Sequence, residues 1–132
     1  KAKELLWNLK GKEISILGLS FKPDTDDIRE SPAIEIISLL LKEGAIIRCY
    51  DPKAMENMKK VFPEITYCQT IYECVKNSAL LIFLTEWNEF KNLDFEKIKG
   101  LMKTPYIIDG RNFLDVEKLK KAGFIYRGIG RN

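Results

Sequence analysis

The sequence contains no histidine among its 132 residues. This excludes catalytic triads that depend on an imidazole, and it removes most kinds of zinc site. Cysteine is also scarce: Cys49, Cys68 and Cys74 form no CxxC spacing, and an odd number of cysteines argues against a disulfide framework. Cys49 and Cys68 fall in apolar, strand-like runs typical of small core residues. The sequence therefore favours a reducing, cytoplasmic setting.

Long apolar runs are absent as well. The longest, at residues 36–41, is far shorter than the roughly 20 residues of a membrane-spanning helix. No charged-then-apolar signal segment opens the chain, so neither secretion nor membrane association is expected. The basic residues exceed the acidic ones by 22 to 19, but they are scattered along predicted helix faces. Because nucleic-acid binders usually concentrate such residues in a stripe with aromatics, no nucleic-acid partner is expected.

What the sequence does contain is an alternation of strand-like and helix-like segments along its whole length. Short apolar runs rich in β-branched residues predict strands at 13–19, 45–50, 66–68, 79–84, 106–108 and 124–129. Helical spacing predicts helices at 1–9, 32–44, 54–61, 71–77, 95–102 and 116–121. This order is typical of βαβ units. We expect an α/β fold, a Rossmann-like, doubly wound, mostly parallel sheet with helices on both faces.

Residues that follow the predicted strands carry the candidate chemistry, because ligands of open parallel sheets bind beyond the carboxyl ends of the strands. Phe21 and Lys22 follow the first strand, Trp87 the fourth and Arg111 the fifth. Two cations and two aromatic rings at one edge suit a ligand that has phosphates and a flat base. The alternative is that the two rings only close the edge of the sheet and the two cations are solvated.

The glycines needed for a dinucleotide site are missing. A dinucleotide-binding unit places GxGxxG directly after its first strand, where glycine lets the backbone approach the pyrophosphate. Here Gly18 is followed by Leu-Ser-Phe-Lys-Pro. Asp51 lies at the position of a ribose-binding acid, but Pro52 and the missing glycines favour a turn-capping role. The pattern predicts a Rossmann shape without the dinucleotide fingerprint.

The segment at residues 18–32, GLSFKPDTDDIRESP, is followed by an apolar helix and resembles the signature of one family's C-terminal domain. That family is the UDP-glucose/GDP-mannose dehydrogenases, and the resemblance extends from about Lys12 over nearly the whole chain. It continues through Tyr50-Asp51-Pro52, Thr85-Glu86-Trp87, Asp109-Gly110-Arg111-Asn112 and Gly128-Ile129-Gly130. It implies that residues 1–11 end a linker helix from a central domain and that residues 12–132 form a C-terminal UDP-sugar-binding domain.

The resemblance also implies an activity. Members of the family are three-part enzymes with an N-terminal NAD-binding domain, a central dimerising domain and this C-terminal domain. The implied reaction oxidises UDP-glucose to UDP-glucuronate in two hydride transfers to NAD, for polysaccharide biosynthesis. The intermediate is held by a cysteine that precedes this domain, assisted by a lysine and an aspartate, so no catalytic residue is expected in this chain. We expect the chain alone to be inactive and monomeric, and the full-length enzyme to be a homodimer.

The same resemblance assigns individual residues. Phe21 and Lys22 match the family's substrate contacts, Arg111 matches its arginine on the nucleotide sugar, and Arg29 matches the arginine that reaches NAD. No metal site is expected at the acids of this loop, because a loop that holds Lys22 and Arg29 in place explains them better; these acids are Asp24, Asp26 and Asp27. Trp87 is left with either a pocket role or a structural one.

Two alternatives remain open from the sequence. One is a dehydrogenase for another nucleotide sugar, either a UDP-N-acetylhexosamine or GDP-mannose, because related enzymes share the Phe-Lys-Pro loop. The other is a stand-alone, Rossmann-like nucleotide-binding module with no enzymatic parent.

Overall fold

The computed structural model describes residues 2–3 and 8–128 of the chain. Six strands form one sheet in the order β3-β2-β1-β4-β5-β6, and every neighbouring pair is parallel. The strands are β1 (Glu13–Leu17), β2 (Ile46–Tyr50), β3 (Thr66–Tyr67), β4 (Leu80–Phe83), β5 (Tyr106–Asp109) and β6 (Ile125–Gly128). The helices are α1 (Pro32–Lys42), α2 (Met55–Val61), α3 (Ile71–Val75), α4 (Asn88–Lys91), α5 (Phe95–Leu101) and α6 (Val116–Lys121). This is the strand order of the doubly wound nucleotide-binding fold.

The predicted alternation of strands and helices is confirmed, with element ends shifted by one or two residues. The strand predicted at 13–19 ends earlier, at Leu17, because Gly18 turns the chain. Helix α4 is absent from the sequence prediction, since four residues are too few to show helical periodicity. The predicted lead-in helix and the closing Gly128-Ile129-Gly130 motif fall largely on residues 1, 4–7 and 129–132, outside the described residues.

Side chains of successive strand residues face opposite sides of the sheet, as the period of two requires. In β4, Leu80 and Ile82 belong to one buried cluster while Leu81 and Phe83 belong to the other. Helices α1 and α2 pack on the first cluster, and the other four helices pack on the second. All four residues of β4 are buried, which confirms the prediction of a central strand covered on both faces.

Within the described ranges, none of the helices combines the length and apolarity that a bilayer-spanning segment requires.

Helix α1 begins as its sequence predicts. Ser31 is the N-cap, and its Oγ accepts a hydrogen bond from the amide of Ala33 at 3.1 Å. The same hydroxyl donates to the carbonyl of Leu19 at 2.7 Å. The start of α1 is therefore tied to the chain just beyond β1, which fixes both ends of the β1–α1 loop (residues 18–31).

Gly18 allows β1 and β4 to approach each other where both strands end. Its φ is +102°, and a Cβ built on it would lie 2.5 Å from the amide nitrogen of Thr85. The Thr85 hydroxyl donates to the Ser20 carbonyl at 2.6 Å, and the Gly18 amide donates to the Tyr50 carbonyl at 2.9 Å. Only glycine combines this φ with so close a contact. The direction in which the β1–α1 loop leaves the sheet thus depends on this residue.

We predict that Gly18→Ala destabilises the domain by about 3 kcal/mol or more, because the methyl group meets backbone and φ becomes strained. This corresponds to a fall of roughly 10 °C in Tm for a chain of this size. The matched control is Gly100→Ala. Gly100 lies in α5, and a Cβ added there would meet nothing within 4 Å, so alanine is expected to raise stability by up to about 1 kcal/mol. Equal effects of the two substitutions on thermal unfolding would contradict the packing described at Gly18.

Candidate functional site

The predicted site residues lie on two loops at the carboxyl edge of the sheet. The β1–α1 loop carries Phe21, Lys22 and Arg29, and the loop after β5 carries Arg111. Nη2 of Arg111 donates a short hydrogen bond to the carbonyl of Phe21. The structure therefore brings Arg111 against the β1–α1 loop, although the two segments are 90 residues apart in the sequence.

Arg111 is held on a second side by Glu86, which follows β4. The Oε1 of Glu86 lies 3.5 Å from Nε of Arg111, and about a third of each side chain is exposed. Nε itself is buried and has no hydrogen-bond partner among the described residues. Nη1 takes part in neither contact. The guanidinium is thus held by a hydrogen bond at Nη2 and by its charge pairing with Glu86, and Nη1 keeps its donors for a ligand. Sequence reasoning did not predict this contact of Glu86.

Lys22 is exposed, but its backbone is fixed. The Ser20 hydroxyl donates to the Lys22 carbonyl at 2.8 Å, and the Phe21 amide donates to the Asp27 carbonyl at 3.1 Å. The Lys22 ammonium lies 5.3 Å from the centroid of the Phe21 ring, within the range of a cation–π contact. An exposed cation on a fixed backbone, beside a half-buried ring, suits an anionic ligand that also has a flat group.

Arg29 lies at the far end of the same loop, and 85% of its side chain is exposed. Asp27 holds it: Nε and Nη2 of Arg29 donate to the Asp27 carboxylate at 3.0 Å and 2.8 Å. These hydrogen bonds lower the pKa of Asp27 to about 2, and the same pairing raises the pKa of Arg29. Phe21, Asp27, Arg29 and Glu30 line a small groove of about 310 Å³. Phe21 therefore borders Arg29 on one side and contacts Arg111 through its carbonyl.

The acidic loop offers no grouped metal ligands. Asp27 is committed to Arg29, and the Asp26 carbonyl accepts a hydrogen bond from Asn57 in α2 at 2.8 Å. Across the part of the chain that the structure describes, there is no group of three or more residues of the His, Cys, Asp or Glu types that could hold a metal ion. The expectation that this loop holds Arg29 in place is confirmed for Asp27.

Asp51 is fully buried and has the turn-capping role that the sequence favours. Its Oδ1 accepts from the two amides that open the next turn, and its Oδ2 accepts from the β1–α1 loop and from one indole. The donors are Lys53 N, Ala54 N, Leu19 N, Ser20 N and Trp87 Nε1, at 2.7–3.2 Å. A carboxylate with these partners cannot also bind a ribose. Trp87 has a structural contact here, since it is 6% exposed and its indole donates to Asp51. It also lines a surface pocket with Pro23 and Glu86.

Asp109 repeats this arrangement at the end of β5. Its Oδ1 accepts from the Arg111 amide at 3.0 Å, and its Oδ2 accepts from Phe113 N, Leu114 N and the Tyr126 hydroxyl at 2.9–3.0 Å. The buried Asp109 carboxylate therefore fixes the backbone of Arg111. Sequence reasoning missed this function of Asp109, although an acid at a strand end followed by a turn is the same signal that identifies Asp51.

The three cysteines are free and buried, and their surroundings are those of core residues. Burial raises the pKa of the Cys49 thiol. A hydrogen bond between Cys74 and Cys68, together with burial, raises the pKa of Cys74. The bond lowers the pKa of Cys68, but that side chain is 1% exposed. A cysteine nucleophile needs an exposed, low-pKa thiolate, and these three positions do not provide one. Cys68 lies one residue beyond β3 rather than within it.

Comparison with known proteins matches residues 15–116 to the UDP-glucose/GDP-mannose dehydrogenase family, UDP binding domain. A UDP-glucose 6-dehydrogenase from Rhizobium meliloti is 43% identical over 124 residues, which cover 94% of this chain and 28% of that protein. This chain therefore spans about 28% of the length of that curated relative.

Two solved structures share the fold over nearly the whole chain. A UDP-glucose dehydrogenase from Pyrobaculum islandicum superposes with a TM-score of 0.79 at 34% identity, covering 96% of this chain and 27% of that one. An NDP-N-acetyl-D-galactosaminuronic acid dehydrogenase from Methanosarcina mazei superposes with a TM-score of 0.84 at 29% identity, covering 99% and 27%.

We predict that Asp51→Asn lowers the free energy of unfolding by about 2–4 kcal/mol, because the amide nitrogen faces N–H donors and leaves them unsatisfied. Urea unfolding measures the change. Asp26→Asn is the matched control, since it removes the same charge from an exposed carboxylate that accepts no hydrogen bond from the described residues. If both variants unfold at the wild-type urea concentration, Asp51 does not hold the loops together.

Proposed function

The chain belongs to the UDP-glucose/GDP-mannose dehydrogenase family, and on this premise we propose that it is the nucleotide-sugar-binding domain of an NAD-dependent UDP-glucose 6-dehydrogenase. That enzyme would oxidise UDP-glucose to UDP-glucuronate in two hydride transfers. One observation carries the proposal: the contact of Arg111 with the Phe21 carbonyl gathers Phe21, Lys22 and Arg111 at one edge.

The proposed task of these residues is to hold the nucleotide sugar. The diphosphate is anionic, and charge-assisted hydrogen bonds from a lysine and an arginine are roughly twice as strong as neutral ones. The Phe21 ring offers an apolar face beside the Lys22 ammonium. Because Arg111 is hydrogen-bonded at Nη2 and paired with Glu86, it loses little freedom when a ligand binds at Nη1. In this account Lys22 and Arg111 bind and orient the substrate, and neither moves a proton.

The identity of the sugar is the more specific part of the proposal. The curated relative at 43% identity is named for UDP-glucose, whereas the structure with the higher TM-score is named for an N-acetyl-galactosaminuronic acid and is 29% identical. Sequence identity compares side chains, and side chains determine which sugar is bound. The TM-score compares only the path of the backbone. The identity therefore supports UDP-glucose over a UDP-N-acetylhexosamine or GDP-mannose.

NAD does not fit the crevice of this chain as its main site. The glycines that admit a pyrophosphate are missing, and Asp51, at the position of the ribose-binding acid, is fully buried and saturated with donors. Arg29 fits a different role, because its exposed guanidinium suits an anionic cofactor held mainly by another domain. NAD bound to that other domain would accept the hydride from the substrate. Arg29 would contact it and thereby close the two domains over both ligands.

The remaining parts of the proposal concern the larger protein. We propose that residues 1–11 connect to a central domain, that the catalytic cysteine and NAD-binding domain belong to that larger protein, and that it is a homodimer. The chain alone would be monomeric and inactive, and it would act in the cytoplasm in polysaccharide biosynthesis. The three free, buried cysteines suit such a reducing compartment.

We predict that the chain binds UDP, and that Lys22→Ala and Arg111→Ala each weaken binding about tenfold to a hundredfold. The reason is the loss of a charged donor, roughly 1.5–3 kcal/mol. Titration calorimetry with UDP measures the affinity, and Lys120→Ala, which removes the same charge from an exposed position on α6, serves as the control.

Arg111→Ala also removes a contact within the protein, so Arg111→Lys and the Tm of each variant are measured beside it. If Lys22→Ala and Lys120→Ala bind UDP alike, or if the affinity of each variant simply follows its Tm, these residues do not hold the ligand.

In the full-length dehydrogenase, we predict that Arg29→Ala raises the KM for NAD severalfold and leaves the KM for UDP-glucose unchanged, because Arg29 lies at the far end of the loop and is held by Asp27 rather than by Arg111. Steady-state NADH production with each substrate varied in turn gives both constants. This assay also tests the alternative of a stand-alone nucleotide-binding module, for which a full-length protein that binds UDP but forms no NADH is the expected outcome.

A further inference from the structure

We infer that Asp27 is a positioning residue: its carboxylate orients Arg29 toward an anionic cofactor, and its backbone joins Arg29 to the residues that hold the nucleotide sugar. The inference rests on the proposed function, because Arg29 is the group proposed to meet NAD. It goes beyond the expectation that the loop holds Arg29 in place, because it gives Asp27 an effect on cofactor binding.

The first observation is the geometry of the carboxylate. Oδ1 of Asp27 accepts from the Arg29 amide at 2.9 Å and from Arg29 Nε at 3.0 Å, while Oδ2 accepts from Nη2 at 2.8 Å. The pairing is thus bidentate and is closed by a backbone bond. This fixes the plane of the guanidinium as well as its position. Nη1 takes no part in these bonds, so the group keeps donors for an anion.

The second observation is a continuous set of contacts between the two proposed sites. Arg111 donates to the Phe21 carbonyl, the Phe21 amide donates to the Asp27 carbonyl, and the Asp27 carboxylate holds Arg29. Asp27 itself is braced, since its amide donates to the Thr25 hydroxyl at 3.1 Å. The backbone of Phe21 and Asp27, together with the Asp27 carboxylate, therefore connects Arg111 to Arg29.

The third observation is that stability does not explain the pair. The Arg29 side chain is 85% exposed, and exposed ion pairs contribute little to the free energy of unfolding. What the pair does accomplish is to restrict a long side chain that otherwise samples many rotamers. Restricting such a side chain in its binding position reduces the entropy that is lost on binding. The pKa of Asp27, lowered to about 2 by its hydrogen bonds with Arg29, keeps the carboxylate ionised at any working pH.

Asp27 also has an electrostatic effect that opposes cofactor binding, so the test must show which of its two effects is larger. The negative charge of Asp27 also offsets part of the attraction between Arg29 and a phosphate. If orientation dominates, removing this charge weakens cofactor binding; if the offset dominates, removing it strengthens binding. The bidentate geometry and the exposure of Arg29 favour orientation, because charges in water interact weakly whereas a lost orientation affects every hydrogen bond that the guanidinium makes.

The first experiment uses this chain and needs no cofactor. In a ¹H–¹⁵N spectrum, the Arg29 Nε–Hε signal is expected to be resolved and protected from exchange in the wild type and in Asp26→Asn. It is expected to broaden or vanish in Asp27→Asn. Asp26→Asn is the matched control, one residue away and with the same change of charge. An Arg29 signal that is equally exchange-broadened in the wild type and in Asp27→Asn shows that the carboxylate does not hold the guanidinium, and it overturns the inference.

The second experiment uses the full-length dehydrogenase. Asp27→Asn is expected to raise the KM for NAD about threefold to tenfold, with the KM for UDP-glucose within twofold of wild type and the Tm unchanged. It is expected to have no further effect in an Arg29→Ala background, since Asp27 acts through Arg29. An unchanged or lowered KM for NAD, or an equal effect of Asp26→Asn, overturns the inference.

Failure of the proposed function has a different signature. In that case the wild-type chain does not bind UDP, or the full-length protein forms no NADH, whatever residue stands at position 27. The spectroscopic result for Arg29 is independent of both measurements.

Discussion

The buried carboxylate of Asp51 is the interaction on which the carboxyl edge of the sheet depends. It collects donors from the β1–α1 loop, from the turn after β2 and from the Trp87 indole after β4. A buried charge is tolerated only when its hydrogen bonds are satisfied, so these three segments are restricted to positions that satisfy it. Gly18 makes the arrangement possible by letting β1 and β4 approach closely. Asp109 does the same for the loop after β5 and fixes the backbone of Arg111.

This architecture separates two tasks between two sets of charged groups. Buried acids bind backbone amides and determine where the loops run, whereas the exposed or partly exposed cations Lys22, Arg29 and Arg111 remain available to a ligand. The cations are oriented by neighbours that do not saturate them: Glu86 and the Phe21 carbonyl for Arg111, and Asp27 for Arg29. Such partial anchoring reduces the entropic cost of binding without consuming every donor. It also gives a Rossmann-like sheet without a glycine fingerprint two oriented arginines at its carboxyl edge.

Sequence reasoning predicted the parts of this structure that follow from local patterns. The order of elements, the parallel sheet, the Ser31 cap and the buried strand at 80–83 all follow from periodicity and capping chemistry. The placement of Phe21, Lys22 and Arg111 at one edge follows from their positions after strands. What it did not predict are contacts between distant segments, such as Glu86 with Arg111 and Asp109 with Tyr126. Helix α4 is too short for a periodic signal, and the need for glycine at position 18 depends on Thr85, which lies far along the chain after β4.

We propose that the loops after β1 and β5 form one binding edge for a nucleoside diphosphate. A crystal structure of this chain with UDP tests it most directly, because it reports position rather than affinity. The diphosphate is expected to lie within hydrogen-bond distance of Lys22 and Arg111, with the Asp51 contacts unchanged. UDP bound instead in the separate groove between α5 and α6, which is lined by Phe95 and Lys118, would show that this edge is not the binding site. So would a diphosphate that leaves both cations without contact.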